Sequence, residues 1–69
     1  MIGDIFDFRL GEYVRIMCTS VAWQVVGQTR NLYSENHYTL RRIEPTTGDI
    51  IQTYSPESVL VPVDVARIN

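Results

Sequence analysis

The stretch HYTLRRIEPTTGDIIQTY, His37 to Tyr54, reads as two strands around one tight turn. Pro45 fixes its own φ, and Gly48 supplies the positive φ that a hairpin turn needs. On the first arm Tyr38 and Leu40 fall on one face, and His37, Thr39, Arg41 and Ile43 on the other. On the second arm Ile51 and Thr53 point one way, and Ile50, Gln52 and Tyr54 the other. This period of two is the mark of a strand with one core face and one wet face. A chain organised around such a hairpin is an antiparallel β protein.

The flanking segments extend the pattern. Gly11 before Glu12 suits a turn leading into a strand, in which Val14, Ile16 and Cys18 alternate with Tyr13, Arg15 and Met17. That phase predicts Cys18 in the core. In SVAWQVVGQTR, Val21, Trp23 and Val25 share one face and Ala22, Gln24 and Val26 the other. Both faces are apolar enough to predict a strand between two layers or beneath a subunit contact, with Trp23 and Val25 as its interface residues. The Asn-, Ser- and Glu-rich run TRNLYSENHY, Thr29 to Tyr38, reads as a loop. SPES predicts one helical turn, capped by Ser55 with Pro56 in first position. VLVPV is a short last strand that Pro62 confines to an edge or a strand end. Five short strands, a hairpin and one turn before the last strand predict an all-β SH3-like barrel. Residues 1–69 form one domain, with 1–8 as an N-terminal arm.

Size and composition narrow the rest. A chain of 69 residues buries only about 60% of its unfolded surface, so its core is marginal without reinforcement. Cys18 is the only cysteine, so no disulfide forms within the chain, and with the lone His37 it cannot complete a zinc site. Self-association, as a dimer or tetramer, is the remaining reinforcement. The formal net charge of −2 lacks the basic excess of a nucleic-acid binder. No apolar run approaches the roughly 20 residues that span a bilayer. The expectation is a soluble, cytoplasmic protein.

Small SH3-like barrels of phages and other mobile elements share this order of turn glycine, Val-Arg strand, Val-Val-Gly, aromatic strand and apolar end strand. From Phe8 onward the chain resembles one such family more closely, the type II dihydrofolate reductases, plasmid-borne trimethoprim-resistance enzymes. FRLGEYVR looks like the family's opening, VAWQVVG is similar to its Ala-Trp-Gln segment, IQTYSP resembles its Val-Gln-Ile-Tyr-Pro strand, and RIN, Arg67 to Asn69, looks like its ending. The resemblance implies a homotetramer around a central pore that binds NADPH and dihydrofolate. Gln52 would line that pore, Thr53 would hold the nicotinamide amide through its backbone, and Tyr54 would stand as the active-site tyrosine. The family's first-strand lysine falls on Ile16, and this chain contains no lysine.

The residues themselves favour binding over catalysis. Gln52 and Tyr54 on one strand face are common in any sheet, and no acid–base pair accompanies His37. Arg30, Arg41 and Arg42 are candidates for a local anion site. Trp23, Tyr33, Tyr38 and Tyr54 supply aromatics for a peptide, or less readily for single-stranded nucleic acid. The expected function is therefore an interaction module acting as a homo-oligomer, with no metal or cofactor. The alternative is a divergent type II reductase that uses NADPH.

Overall fold

The computed structural model describes residues 5–63. The RIN ending and the first four residues of the arm lie outside them. Five strands form one antiparallel sheet: β1 (Tyr13–Ile16), β2 (Ala22–Thr29), β3 (His37–Ile43), β4 (Ile50–Pro56) and β5 (Leu60–Pro62). Their order across the sheet is β4-β3-β2-β1-β5, so the sheet is open, with β4 and β5 as its edges. The only helical element among the described residues is a 3-10 turn, Glu57–Val59. None is a helix long and apolar enough to cross a membrane.

The β3–β4 hairpin forms as its alternation requires. Ile43 pairs with Ile50 and His37 with Pro56, without a break between. Gly48 takes φ +77° in the turn, and its N–H bonds the Glu44 carbonyl at 2.7 Å. β2 carries a bulge between Val25 and Gly27. A Cβ at Gly27 would stand 3.1 Å from Thr39 Cβ, so a glycine lets the two strands approach here.

One face of the sheet carries the core: Val14, Val25, Tyr38, Leu40 and Leu60, closed over by Phe8 and flanked by Phe6, Ile16 and Trp23. Tyr38 is at its centre and is fully buried. The rings of Phe6 and Phe8 meet it edge-on at 5.9 and 5.5 Å. Its hydroxyl donates to Glu57 and accepts from the N–H groups of Asp7 (3.0 Å) and Phe8 (3.3 Å). Gln28 Nε2 holds the Phe8 carbonyl (2.8 Å), and Asn36 Nδ2 holds that of Ile5 (2.7 Å). Residues 5–8 are thus fastened to the sheet by side chains distant in sequence. Glu35 ties the β2–β3 loop to the 3-10 turn. It accepts from the Ser58 N–H and hydroxyl, which hold its carboxyl below the usual range.

Two local expectations are corrected. Cys18 does not face the core. β1 ends at Ile16, and the chain turns so that Thr19 bonds back to the Ile16 carbonyl through both its N–H (3.0 Å) and its hydroxyl (2.6 Å). Cys18 is exposed there at φ +69°, a region that L-residues other than Asn and Asp seldom enter. Ser55 does not cap the helical turn either. It is buried on β4, the turn begins one residue after Pro56, and no side chain caps it.

Tyr38→Phe keeps the ring and removes the hydroxyl that three groups share, so it should cost about 1–3 kcal/mol of stability. Burial first, and the Glu57 hydrogen bond second, push the phenol from 10 up to about 12. Between those values the unfolded chain has released this proton and the folded chain has not. Stability is therefore intact below pH 10 and falls as pH rises toward 12. Denaturant unfolding across that range should show the decline in wild type and a flatter profile in Tyr38→Phe; equal slopes would exclude Tyr38 as its source. A thiol reagent should label Cys18 as fast in native buffer as in denaturant. Strong native protection would return Cys18 to the interior.

Candidate functional site

The face of the sheet opposite the core is in register across four strands. Tyr13 of β1 pairs with Gln24 of β2, Gln24 with Arg41 of β3, and Arg41 with Gln52 of β4. Directly paired residues project to the same side, so these four side chains form one row. Strand alternation adds Arg15, Ala22, Thr39, Ile43, Ile50, Tyr54 and His37 to this face. His37 stacks on Tyr54, with ring centroids 5.2 Å apart and planes 10° apart. The apolar members are well exposed: Ile43 at 65%, Ile50 at 64% and Tyr54 at 57%. A shallow cavity of about 240 Å³ opens at its upper end, lined by Tyr13, Ala22, Gln24, Arg41, Arg42 and Ile43.

Charge on this face is one-sided. The chain is acidic overall, yet none of the residues just named is Asp or Glu. Among the described residues the carboxylates stand elsewhere. Glu12 accepts from the Arg9 N–H, Glu44 from Thr46 and Arg42, and Glu57 from Tyr38. Arg15 reaches the Thr19 carbonyl at 3.2 Å. Arg41 makes no side-chain hydrogen bond or ion pair among the described residues.

The backbone of β4 has its own polarity. Glu44 N–H donates to Asp49 (2.8 Å), and Glu57 N–H to Asn36 (2.9 Å), at the two ends of the hairpin. Bonded and non-bonded pairs alternate in an antiparallel ladder. Ile51, Thr53 and Ser55 are therefore bonded to β3, while Ile50, Gln52 and Tyr54 turn their N–H and C=O groups away from it.

These placements bear on each candidate residue. Gln52 and Tyr54 share one exposed face of β4. Thr53 lies on the other face, and its backbone is engaged with Leu40, so it is not turned toward a ligand beside Gln52. Ile16 packs against the core and pairs with Leu60, on the side away from Gln52. Arg15 and Arg41 are the cations on the Gln52 face. The three arginines of the expected anion cluster are not brought together. Arg41 and Arg42 project to opposite faces, and Arg30 lies past the far end of β2, beside the His37 end of β3. Arg42 instead lies over the Trp23 ring at 5.1 Å and bridges to Glu44 at 3.4 Å, its Nε buried without an acceptor among the described residues. Val25 is wholly buried in the core of the single chain, and Trp23 is partly buried against that core. Tyr33 is almost fully exposed in the β2–β3 loop.

The stack of His37 on Tyr54 and the engagement of Arg42 by Trp23 were not among the expected contacts. His37 and Tyr54 are diagonal neighbours across β3 and β4, and the β2–β3 register sets Trp23 opposite Arg42. Among the described residues no group of His, Cys, Asp and Glu is gathered as a metal site. Comparison with protein-family models, with curated proteins and with solved structures returned no match.

Proposed function

We propose that this chain is a small SH3-like barrel interaction module that acts by binding, as a homo-oligomer, through the exposed face of β1–β4. The strand order β4-β3-β2-β1-β5 and the 3-10 turn before β5 support the SH3-like reading. The observation that carries the binding reading is the aligned row Tyr13–Gln24–Arg41–Gln52, beside the His37–Tyr54 stack, on a face that carries no carboxylate among the described residues. Such a surface fits an acidic peptide segment. Arg41 meets a carboxylate, the two glutamines bond backbone amides, and the tyrosine rings cover apolar atoms.

A second reading has one specific observation in its favour: Gln52 and Tyr54 lie side by side on an accessible face, as in the family that IQTYSP resembles. On it, dihydrofolate would accept a hydride from NADPH and a proton from solvent, with both molecules positioned by copies of Gln52 and Tyr54 around a pore. Arg15 and Arg41 would supply the cationic surroundings in place of the missing lysine.

Titration with a Glu- and Tyr-rich decapeptide, followed by amide NMR, tests the first reading. Shifts should concentrate on Tyr13, Gln24, Arg41, Gln52 and Tyr54. Arg41→Gln should weaken binding about tenfold or more, with the affinity falling as salt rises. Shifts confined to β5 or the 3-10 turn would overturn it. NADPH oxidation with dihydrofolate in the presence of trimethoprim separates the two readings. Turnover that disappears in Gln52→Ala would establish the reductase, and the interaction module predicts none.

A further inference from the structure

We infer that the free edge of β4 is the self-association surface, and that a second copy of this chain pairs with it antiparallel about a two-fold axis at Gln52. The inference rests on the homo-oligomeric reading above and names the surface and the register through which it would occur.

The two edges of the sheet differ. β5 is three residues long. The bonds from Val63 to Tyr13 (3.1 Å) and from Met17 to Val59 (2.7 Å) show that Leu60 and Pro62 are its outward positions. Pro62 has no N–H to offer there, so that edge is blunted. β4 is seven residues long, and Ile50, Gln52 and Tyr54 turn their backbone groups outward. No partner strand meets them among the described residues. From Ile50 to Ser55 there is no charge, no glycine and no proline. Protein sheets ordinarily guard such an edge with lysine, proline or a bulge, because a long, neutral, β-prone edge pairs with whatever strand it meets. This edge has no guard until Pro56.

The side chains identify the partner. An antiparallel copy centred on Gln52 sets Gln52 against Gln52, and Ile50 against Tyr54, on both sides of the axis. Each of these pairs exchanges two backbone hydrogen bonds. The amides of the central pair bond each other, and each exposed isoleucine is covered by an exposed tyrosine ring. The order apolar, amide, aromatic is thus complementary to itself in reverse. No like charges meet across the axis. The functional face also becomes continuous, because the row Tyr13–Gln24–Arg41–Gln52 runs on into the same row of the second copy.

Position 52 facing itself makes the inference testable by charge. Gln52→Glu and Gln52→Lys each place like charges directly opposite one another. Each should weaken self-association at least about fivefold in low salt, measured by sedimentation across a micromolar dilution series. An equimolar mixture of the two should associate more tightly than either alone. Circular dichroism checks that both variants remain folded. Gln52→Pro removes an outward N–H and no bond to β3, so it should give a folded monomer; if it unfolds, the charge pair still decides. A wild-type oligomer indifferent to charge at position 52 would overturn the β4 pairing while leaving oligomerisation itself intact. So would a mixture no tighter than its components, whereas a wild type that stays monomeric throughout would overturn the pairing and the homo-oligomeric reading together.

Discussion

The structure depends on one buried hydroxyl. Tyr38 fills the centre of the core, and its oxygen is where the N-terminal arm, the third strand and the 3-10 turn meet. A buried phenol without partners would cost several kcal/mol, so the site is sound only while Glu57 accepts and Asp7 and Phe8 donate. The arm in turn brings Phe6 and Phe8 over the open side of the core. A chain of this size has little apolar surface to spare, and its one cysteine can form no internal disulfide. Here a shared hydrogen-bond centre does the fastening.

The same constraint positions the exposed face of the sheet. Because Tyr38 and Leu40 must point inward, strand alternation drives His37, Thr39 and Arg41 outward. The unbroken ladder then passes that polarity to β4, where Gln52 and Tyr54 follow. A slip of one residue would bury Gln52 and expose Thr53. The identity of the exposed face is therefore decided by what the core demands of the other one. The core claims Ile16 for the same reason, and this removes that position from the Gln52 surface.

The hairpin and its two faces were legible from residue order alone, because the Pro45–Gly48 turn and the alternation on both arms agree. The Pro62 edge was legible too, since a missing N–H restricts a strand in only one way. Cys18 was not, because its alternation with Val14 and Ile16 continues into a turn marked by no glycine. The turn is made by the Thr19 hydroxyl and a residue of positive φ, neither of which leaves a periodic trace. The roles of Glu57, Gln28 and Asn36 were hidden for a different reason. Each bonds a backbone group of the arm far away in sequence, and an exposed-looking polar residue carries no sign of such a partner. On the exposed face, residue order placed Gln52 with Tyr54. It could not place Tyr13, Gln24 and Arg41 beside them, because that needs the pairing of four strands and the bulge at Val25/Gly27.

The exposed face stands or falls with the β3–β4 register, which interstrand NMR contacts between α-protons read out. Arg41 and Gln52 form a non-bonded pair, whose α-protons approach closely. The account predicts strong α–α contacts between Arg41 and Gln52 and between Thr39 and Tyr54. Strong contacts from Arg41 to Ile51 or Thr53 instead would mean a slipped hairpin, with Gln52 and Tyr54 turned into the core, and would contradict the account.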